Sequence, residues 1–596
     1  MLENKQTSLI HLPARRAIRL IAASLLVASA MVGLSGSTAG AWSSEDGAVA
    51  VWGGSAENDG ITAQFNNATG WESLAVDAAG SMYLTGLFQA SVDFNASPAG
   101  TTTMTADSTA GCGAQSFVMK LDLFAEPYWA RQLGNDVSNS SCSAMPRSIA
   151  VDGNGNVYTT GTFNGGSVDF DPGAGVTNLV QTYVQRQAAF VSKLNSSGEF
   201  VWAYRIGSEN VPGTLYDGGH LGEAKTHSVA ADGAGNVYVV GTFWGSTSFQ
   251  HAAGVTTLNS SRSERDRPDT FILKLNSSGE QVWLRQIEAP TGIRVMIPRS
   301  VAVDGSGNVY SAGDVSGGAT IDFDPSEGVA NLTVSTAGQN AGGDVWILKL
   351  DSAGNYVWAK APECNGSSQS YIATGNDRSL AVDGSGNVHL VGWFEQRHYN
   401  DSEDCDFDPG PGEAFALVGQ IHRSSGFVWK LDSAGNYQWV KAFLKAEGQG
   451  VLNSIYVHSV AVDGSGNVYS TGQFEGMVDF DPGEGTATLS GGQYSGKNSV
   501  FLSKLDSSGN YVWAKQFGTL TMTEDGRQVA LDGSGNVYLS GYIWTNAEVD
   551  YDPGDGVVNL TDKEMFLVKL DSSGNLAPGG FNAPTGSITV SPTSVT

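Results

Sequence analysis

A phrase that recurs along the whole chain constrains its fold more than any other feature. SVAVDGSGNVYSTG at 459–472 has six further copies, whose anchoring aspartates follow one another at intervals of 69 to 80 residues. Repetition at a roughly constant period is the sequence signature of repeat architectures. The seven aspartates are Asp77, Asp152, Asp232, Asp304, Asp383, Asp463 and Asp532.

A second phrase follows each copy of the first. FLSKLDSSGNYVWAK at 501–515 is echoed in every repeat, although the copy at 117–131 is degenerate and the copy at 566–580 lacks its Trp half. Each phrase is two alternating apolar runs around a Gly/Asn/Ser turn, which predicts a β-hairpin. Two hairpins give four strands, A to D, and such a sheet buries both faces only against neighbours. We therefore predict an all-β fold, a seven-bladed β-propeller of four-stranded antiparallel blades, since the coils of a linear β-solenoid are much shorter.

The two ends of the repeat region are complementary. The seventh repeat has Pro578, Gly579 and Gly580 where strand D should be, and GAVAVWGG at 47–54 resembles an orphan strand D. Its Trp52 joins the register of the tryptophans in the other repeats. We predict that this N-terminal strand completes the last blade and covers an otherwise open sheet edge.

The N-terminal residues 1–41 have the pattern of a signal peptide. Three arginines precede the apolar run 20–34, and Ala39-Gly40-Ala41 fits a small-residue cleavage site. A membrane anchor is the alternative, but the run is short for a span of about 20 residues. We expect the propeller to occupy 42–577, with 578–596 as a Pro/Gly/Thr-rich tail or the start of a truncated further β-domain. The mature chain, with no other membrane-inserting segment, is expected at the bacterial cell surface, in the periplasm or outside the cell.

Composition narrows the classes of partner. The chain has 32 Lys and Arg against 60 Asp and Glu, a net charge of −28. This disfavours nucleic acids and anionic membranes as main partners, because both require positive charge. No HExxH, GxSxG or Walker motif is present, so the sequence predicts no catalytic residues.

The phrases AVDGSGNVYSTG, VDFDPG and KLDSSGNYVWAK resemble the bacterial seven-bladed β-propeller repeat family (SBBP type) of exported and surface proteins. The resemblance covers about residues 48–577. It implies export and a binding or scaffolding role, and it offers no shared catalytic residues.

The variable connections indicate where function lies. The A–B and C–D turns are nearly uniform, whereas the B–C and D–A connections vary, and variable loops on a regular scaffold are the usual place for recognition. We predict a non-enzymatic scaffold that binds a carbohydrate, peptide or protein on the D–A/B–C rim. The alternatives are a polysaccharide hydrolase or lyase acting in the propeller funnel and a structural spacer of a larger surface protein.

A basic residue type stands five positions before the anchoring aspartate in six repeats, and Glu72 stands there in the first. If strand A lines the axis, these side chains converge at the channel mouth, where they could hold a uronic acid, phosphate or peptide carboxylate. Pairing with the carboxylates of the acidic B–C motif is the alternative. The candidate ligand-binding residues are Arg147, His227, Arg299, Arg378, His458 and Arg527.

The B–C connection carries a repeated acidic motif, VDFDPG or a close variant, in five repeats. Two carboxylates on one side of an extended segment could contribute to a Ca²⁺ site, which usually needs 6–8 oxygens. The alternative is that the aspartates fix the Pro-Gly turn. The candidate calcium ligands are Asp169, Asp171, Asp322, Asp324, Asp406, Asp408, Asp479, Asp481, Asp550 and Asp552.

The four cysteines fit an oxidising compartment. We predict the disulfides Cys112–Cys142 and Cys364–Cys405, because both pairs join loops of the variable rim. Zinc is the alternative, but no CxxC spacing is present. A lysine recurs in strand C of every repeat, and we expect it to be a solvated or salt-bridged structural residue.

Overall fold

The computed structural model describes residues 48–52 and most of 73–577. The chain divides into two compact units, 1–38 and 39–596, and every described residue lies in the second. The predicted signal peptide and the tail at 578–596 therefore lie outside the described residues. The gaps within 73–577 are 90, 95–102, 106–113, 125–126, 137–143, 165, 182–185, 208–221, 252–253, 261–266, 335–342, 365–370, 396–404, 416–423, 447–453, 493–495, 519–522, 545–548, 551–552, 554–558 and 561–564.

Every regular element in the described part of the chain is a β-strand. The first three repeats, with the N-terminal strand, contribute β1 (Ala48–Trp52), β2 (Ser73–Val76), β3 (Met82–Gln89), β4 (Ser91–Asp93), β5 (Thr103–Thr105), β6 (Ala114–Leu121), β7 (Pro127–Leu133), β8 (Asn135–Asp136), β9 (Ala144–Val151), β10 (Val157–Asn164), β11 (Gly166–Asp169), β12 (Asn178–Gln181), β13 (Gln187–Leu194), β14 (Phe200–Ile206), β15 (Glu223–Ala231), β16 (Val237–Trp244), β17 (Ser246–His251), β18 (Gly254–Asn259), β19 (Asp269–Leu275) and β20 (Gln281–Ile287).

The later repeats follow the same plan. Their strands are β21 (Val295–Val303), β22 (Val309–Ser316), β23 (Ala319–Asp322), β24 (Asn331–Val334), β25 (Asp344–Leu350), β26 (Tyr356–Lys360), β27 (Glu363–Cys364), β28 (Tyr371–Thr374), β29 (Leu380–Val382), β30 (Val388–Glu395), β31 (Cys405–Asp406), β32 (Ser424–Leu431), β33 (Tyr437–Lys445), β34 (Ser454–Val462), β35 (Val468–Glu475), β36 (Met477–Asp479), β37 (Thr488–Ser490), β38 (Ser499–Leu505), β39 (Tyr511–Phe517), β40 (Thr523–Leu531), β41 (Val537–Trp544), β42 (Val549–Asp550), β43 (Asn559–Leu560) and β44 (Met565–Leu570).

The strands pair antiparallel into propeller sheets. Repeats one, three, four and six form the sheets β2-β3-β6-β7, β15-β16-β19-β20, β21-β22-β25-β26 and β34-β35-β38-β39. Repeat two forms β9-β10-β13-β14, extended by β17 and β18, and repeat five pairs β28 and β29 with β30, followed by β32 and β33 and extended by β36 and β37. The order β40-β41-β44-β1 places the N-terminal strand beside β44, with Val51 opposite Phe566. The fold is an all-β propeller of antiparallel sheets.

The A–B turns are stabilised by an aspartate side chain that accepts hydrogen bonds from backbone N–H groups of the turn. Asp463 Oδ1 accepts hydrogen bonds from the backbone N–H groups of Ser465 and Asn467, both at 2.9 Å. Gly466 has a φ of 80°, which favours glycine. The DGSGN segments are therefore Asx-type turns, as the sequence predicts.

The first strands of neighbouring sheets contact one another. These contacts run β2 to β9, β9 to β15, β15 to β21, β21 to β29, β29 to β34, β34 to β40 and β40 to β2. The hydrophobic core is divided among the interfaces between neighbouring sheets. One cluster joins Tyr83 and Trp129 of the first repeat to Phe163 and Phe190 of the second.

Polar side chains of one repeat also donate hydrogen bonds to backbone carbonyls of the next repeat. Lys349 Nζ lies 4.9 Å from the ring centroid of Tyr310 and donates a hydrogen bond of 2.7 Å to the carbonyl of Ser433 in the next repeat. Trp358 Nε1 donates to the same carbonyl at 3.2 Å. The expectation of a solvated or salt-bridged lysine was therefore wrong, because the ammonium group covers an aromatic ring and bonds a backbone oxygen. The other lysine donors are Lys193, Lys274, Lys430, Lys504 and Lys569.

The B–C hairpins cross onto the preceding repeat. Strand β17 pairs with the end of β14, β36 with the end of β33, and β31 with β27. The last of these pairs brings Cys364 opposite Cys405, and the two form a disulfide. This bond was predicted from the sequence. Cys112 and Cys142 lie outside the described residues.

Candidate functional site

The basic residues of the predicted channel site occupy β-bulges. In β34, Val457 lies opposite Gly472 and Ser459 lies opposite Thr471, so His458 is an extra, unpaired residue. The same irregularity occurs at Arg147, His227, Arg299 and Arg527 in the first strands of their sheets. A bulge redirects one side chain out of the alternation of its strand. Glu72, the equivalent residue of the first repeat, lies outside the described residues.

A glycine opposite each bulge makes room for it. A Cβ at Gly472 would lie 1.9 Å from the carbonyl oxygen of Tyr456, and one at Gly161 would lie 2.0 Å from that of Met145. No side chain fits against a backbone atom at that distance. The recurrent Gly that ends VYSTG and its copies is therefore the sequence signal for the bulges.

The fifth repeat replaces its bulge with a turn. Thr374 lies opposite Gly392, the backbone N–H of Val391 donates to the carbonyl of Ser379, and four residues intervene where the other repeats have one. We call residues 375–378 the inserted turn. Arg378, expected among the converging basic residues, lies at its end and donates to the carbonyl of Ile149 in the second repeat.

Asp377 in the inserted turn contacts the first strands of several sheets. Its carboxylate accepts hydrogen bonds from Ser73 Oγ at 3.2 Å and Gln528 Nε2 at 2.9 Å. Its backbone carbonyl accepts from Ser228 and Ser300, both at 3.0 Å. Burial raises the pKa of Asp377 above its ordinary value, against the opposing effects of Arg378 and of nearby hydroxyl donors.

The donors to Asp377 belong to a set that we call the inner polar ring. Each member stands four positions before an anchoring aspartate, and five of them supply an acceptor to the next sheet. Ser148 Oγ, for example, accepts from the backbone N–H of Val229 at 3.3 Å, and Gln528 Oε1 accepts from that of Leu74. Ser379 is the member in the fifth repeat, and its hydroxyl is buried without a hydrogen-bond partner among the described residues. The members are Ser73, Ser148, Ser228, Ser300, Ser379, Ser459 and Gln528.

Three of the predicted basic residues lie close enough for their charges to interact. Burial lowers the pKa of Arg147, and the positive charge of Arg299 lowers it further. The pKa of His227 falls well below its ordinary value because the ring is buried and lies near Arg147, Arg299 and Lys225. His227 is therefore neutral at pH 7, and its Nε2 lies 3.1 Å from Thr242 Oγ1. We call Arg147, Lys225, His227 and Arg299 the basic cluster.

Carboxylate partners lie beside His458, Arg527 and one member of the basic cluster, Arg299. Asp525 lies 2.9 Å from His458 Nδ1 and 2.8 Å from Arg527 Nε. Burial alone would raise the pKa of Asp525, but Arg527 and His458 hold it below its ordinary value. Arg299 Nε lies 2.7 Å from Asp314 Oδ2 in its own sheet. The alternative of pairing with the acidic B–C motif was therefore wrong about the partners of these residues.

The acidic B–C motif holds its own loop. Asp479 Oδ1 accepts from the backbone N–H groups of Asp481 and Ala487 at 3.0 and 2.8 Å, and Asp481 Oδ1 accepts from that of Gly483 at 2.8 Å. The described copies at Asp169, Asp171, Asp322, Asp324, Asp406 and Asp408 make equivalent bonds. Asp552 and the side chain of Asp550 lie outside the described residues. Calcium binding stays a prediction.

Sequence comparison agrees with this architecture. The profile of the SBBP family, described as "Beta-propeller repeat", matches residues 129–166 and 448–473. The chain therefore contains SBBP-type β-propeller repeats in these two segments. The first of these SBBP matches covers β7 to β10, and the second ends in the A–B hairpin of the sixth repeat.

Known proteins add little on function. The SBBP chain is 30% identical over 239 residues to an uncharacterized WD repeat-containing protein of Acanthamoeba polyphaga mimivirus, across 39% of this chain and 16% of that protein. A solved ulvan lyase of polysaccharide lyase family PL25 is 10% identical, with 91% of this chain and 96% of that chain covered and a TM-score of 0.36. A Bacteroides caccae protein of unknown function is 12% identical, with 67% and 89% covered and a TM-score of 0.26. Neither structural likeness carries an argument about function.

In the described ranges, no helix has the length and apolar character needed to cross a bilayer.

Proposed function

We propose that this protein is an exported, non-enzymatic propeller that binds a carboxylate-bearing ligand at the basic cluster. The observation that carries the proposal is the position of Arg147 on a bulge of β9, where the positive charge of Arg299 lowers its pKa and Asp377 is the carboxylate whose charge opposes that effect. A buried arginine has a strong preference for an anionic partner, because its charge cannot be relieved by deprotonation. A ligand carboxylate would add a second anionic partner, beside Asp377, through the paired N–H donors of the guanidinium.

The scaffold in this proposal is a closed ring of seven blades. Its support is that the contacts joining successive repeats also join the seventh to the first. Tyr538 Oη lies 3.4 Å from the carbonyl of Gly80, and Lys569 Nζ donates at 3.1 Å to that of Leu123. The pairing of β1 with β44 adds a fourth strand to the seventh sheet.

Export is part of the same proposal. It is supported by the signal-peptide pattern at 1–41 and by the Cys364–Cys405 disulfide. A third support is that SBBP repeats, which the chain contains, are typical of surface proteins. Disulfides persist in oxidising compartments and are rare in the reducing cytosol.

Binding of the purified protein to arrays of glycans and peptides tests the proposal. We expect retention of uronic-acid glycans or of peptides with a free C-terminal carboxylate, and the two arms distinguish the source of the carboxylate. Arg147→Ala should weaken that binding about 10- to 100-fold, since one charge-assisted contact is lost.

A matched control is Arg285→Ala, which removes the same charge from the outermost strand of a sheet, where Arg285 Nε donates to the carbonyl of Gly354. Equal loss of binding in both variants would contradict a site at the basic cluster. Turnover of an acidic polysaccharide by the wild type would overturn the non-enzymatic proposal. If the protein retains no glycan and no peptide, the result would favour the alternative that it is a structural spacer of a larger surface protein.

A further inference from the structure

We propose that the inner polar ring is a carboxyl-binding site, and that the fifth repeat fills it permanently with the side chain of Asp377. This ring adjoins the basic cluster, because Asp377 and Arg147 lie close enough for their charges to interact, but the proposal holds whether or not the protein binds an external carboxylate at that cluster. The occupant is a residue of the chain itself, so the chemistry that the ring recognises can be read from its contacts.

The donors of the ring match a carboxyl group. Gln528 Nε2 donates to one oxygen of Asp377 at 2.9 Å, and Ser73 Oγ donates to the other at 3.2 Å. Ser148 of the second repeat and the positive charges of Arg378 and Arg147 also act on this carboxylate, and each lowers its pKa against the effect of burial. Two sheets thus each direct a neutral donor at a different oxygen, an arrangement that suits a planar group with two acceptor atoms.

Hydrogen bonds of its backbone, which do not involve the Asp377 carboxylate, hold the inserted turn in place. Ser228 and Ser300 both donate to the backbone carbonyl of Asp377, and the N–H of Asn376 donates at 2.8 Å to the carbonyl of His458. The carbonyl of Arg378 accepts from Val460 at 3.0 Å. Because these contacts do not involve the side chain, removal of the Asp377 carboxylate alone should leave the turn in place and the donors of the ring unsatisfied.

Other repeats show that the occupant is an addition to the ring. In the described part of the chain, five repeats keep an inner-ring residue next to a single-residue bulge, and the fifth repeat has three residues more than such a bulge requires. The ring members are therefore part of the repeated framework, and the carboxyl group that they hold was supplied by one repeat.

Chemical rescue tests the proposal. Asp377→Ala vacates the position of the carboxyl group, and sodium formate is the probe, with sodium chloride at equal ionic strength as the reference. We expect the variant to melt below the wild type and to regain about 2 °C in Tm at a hundredfold excess of formate over its Kd. The wild type should show no such gain, because its site is filled. Asp377→Asn should show none either, because the amide occupies the same space.

A control variant separates the ring from general salt effects. Asp351→Ala removes an exposed turn carboxylate whose Oδ1 accepts from Ala353 and Asn355, and formate should not restore its Tm. If formate and chloride affect Asp377→Ala equally, or if formate stabilises the wild type to the same extent, the proposal is wrong.

A second variant keeps the test decisive if Asp377→Ala does not fold. Deletion of residues 375–377 returns the fifth repeat to the single-residue bulge of its neighbours, with Arg378 in the place of His458. This variant should also gain Tm with formate, and titration with ¹³C-formate followed by NMR should show saturable binding that the wild type lacks. Absence of saturable binding in the folded deletion variant would overturn the proposal.

Discussion

His389 occupies a position where the other six repeats have tyrosine. In the fourth repeat, Tyr310 Oη donates at 3.0 Å to Oδ2 of the anchoring Asp304. His389 is fully buried, and neither ring nitrogen has a hydrogen-bond partner among the described residues. Replacement of His389 with Tyr should restore the bond to Asp383 and stabilise the protein at neutral pH by about 1.5–3 kcal/mol, the usual value for a hydrogen bond to a charged group.

The same substitution should remove a dependence of stability on pH. Burial, aided by the charge of Lys430, lowers the pKa of His389 from 6.5 to about 3. Below pH 6.5 the unfolded chain therefore binds a proton at His389 that the folded chain does not bind. The free energy of unfolding consequently falls as the pH falls from 6.5 toward 3. At pH 5 the loss amounts to about 2 kcal/mol relative to pH 7.5.

Urea unfolding at pH 7.5 and at pH 5.0 measures both effects. His389→Phe is the matched control, because it fills the site without a titrating group or a hydroxyl. Both variants should lose about 2 kcal/mol less than the wild type on acidification, and only His389→Tyr should gain stability at pH 7.5. An unchanged pH profile in His389→Phe would refute the reasoning about the buried imidazole.

Three further predictions concern the scaffold. The double substitution Cys364→Ser and Cys405→Ser should destabilise the protein by about 4 kcal/mol at most, because the disulfide closes a loop with a sequence separation of 41. Urea unfolding with and without reductant measures this loss. A wild type whose unfolding is insensitive to reductant would contradict the prediction. Gly472→Ala should cost more than about 3 kcal/mol because the new methyl group meets the Tyr456 carbonyl, whereas Gly464→Ala, with open space around it, should change the thermal melt little. Chelation with EDTA should leave Tm unchanged, since backbone N–H groups already bond Oδ1 of motif aspartates such as Asp479 and Asp481; a lower Tm would establish structural calcium.

The sequence predicted the architecture well because the information is local. Each hairpin turn carries its own aspartate, glycine and asparagine, so its position follows from a short phrase. The propeller of antiparallel sheets and the Cys364–Cys405 bond are confirmed. The number of blades, the closure by the N-terminal strand and the export of the chain stay predictions, as do the ligand and calcium sites.

The inner-strand site was only partly predictable. The recurrent basic residues marked the right positions, but the bulges that redirect them depend on pairing with a glycine such as Gly472 in the adjacent strand. The role of Asp377 depends on contacts with repeats that are up to 304 positions away in the chain. No phrase around Asp377 encodes those contacts. The only local trace of the turn is the extra length of TGNDRS beside the shorter VHS of the sixth repeat.

The inserted turn also limits how far the repeats can resemble one another. A point shared by all first strands has room for one intruding segment, so a lengthening that succeeds in a single repeat excludes the same lengthening in the others. A designed protein made from identical copies of the fifth repeat would direct several such segments into one space and would not assemble. The remaining phrases of the repeats can therefore be near-copies of one another, whereas the inserted turn is confined to one copy.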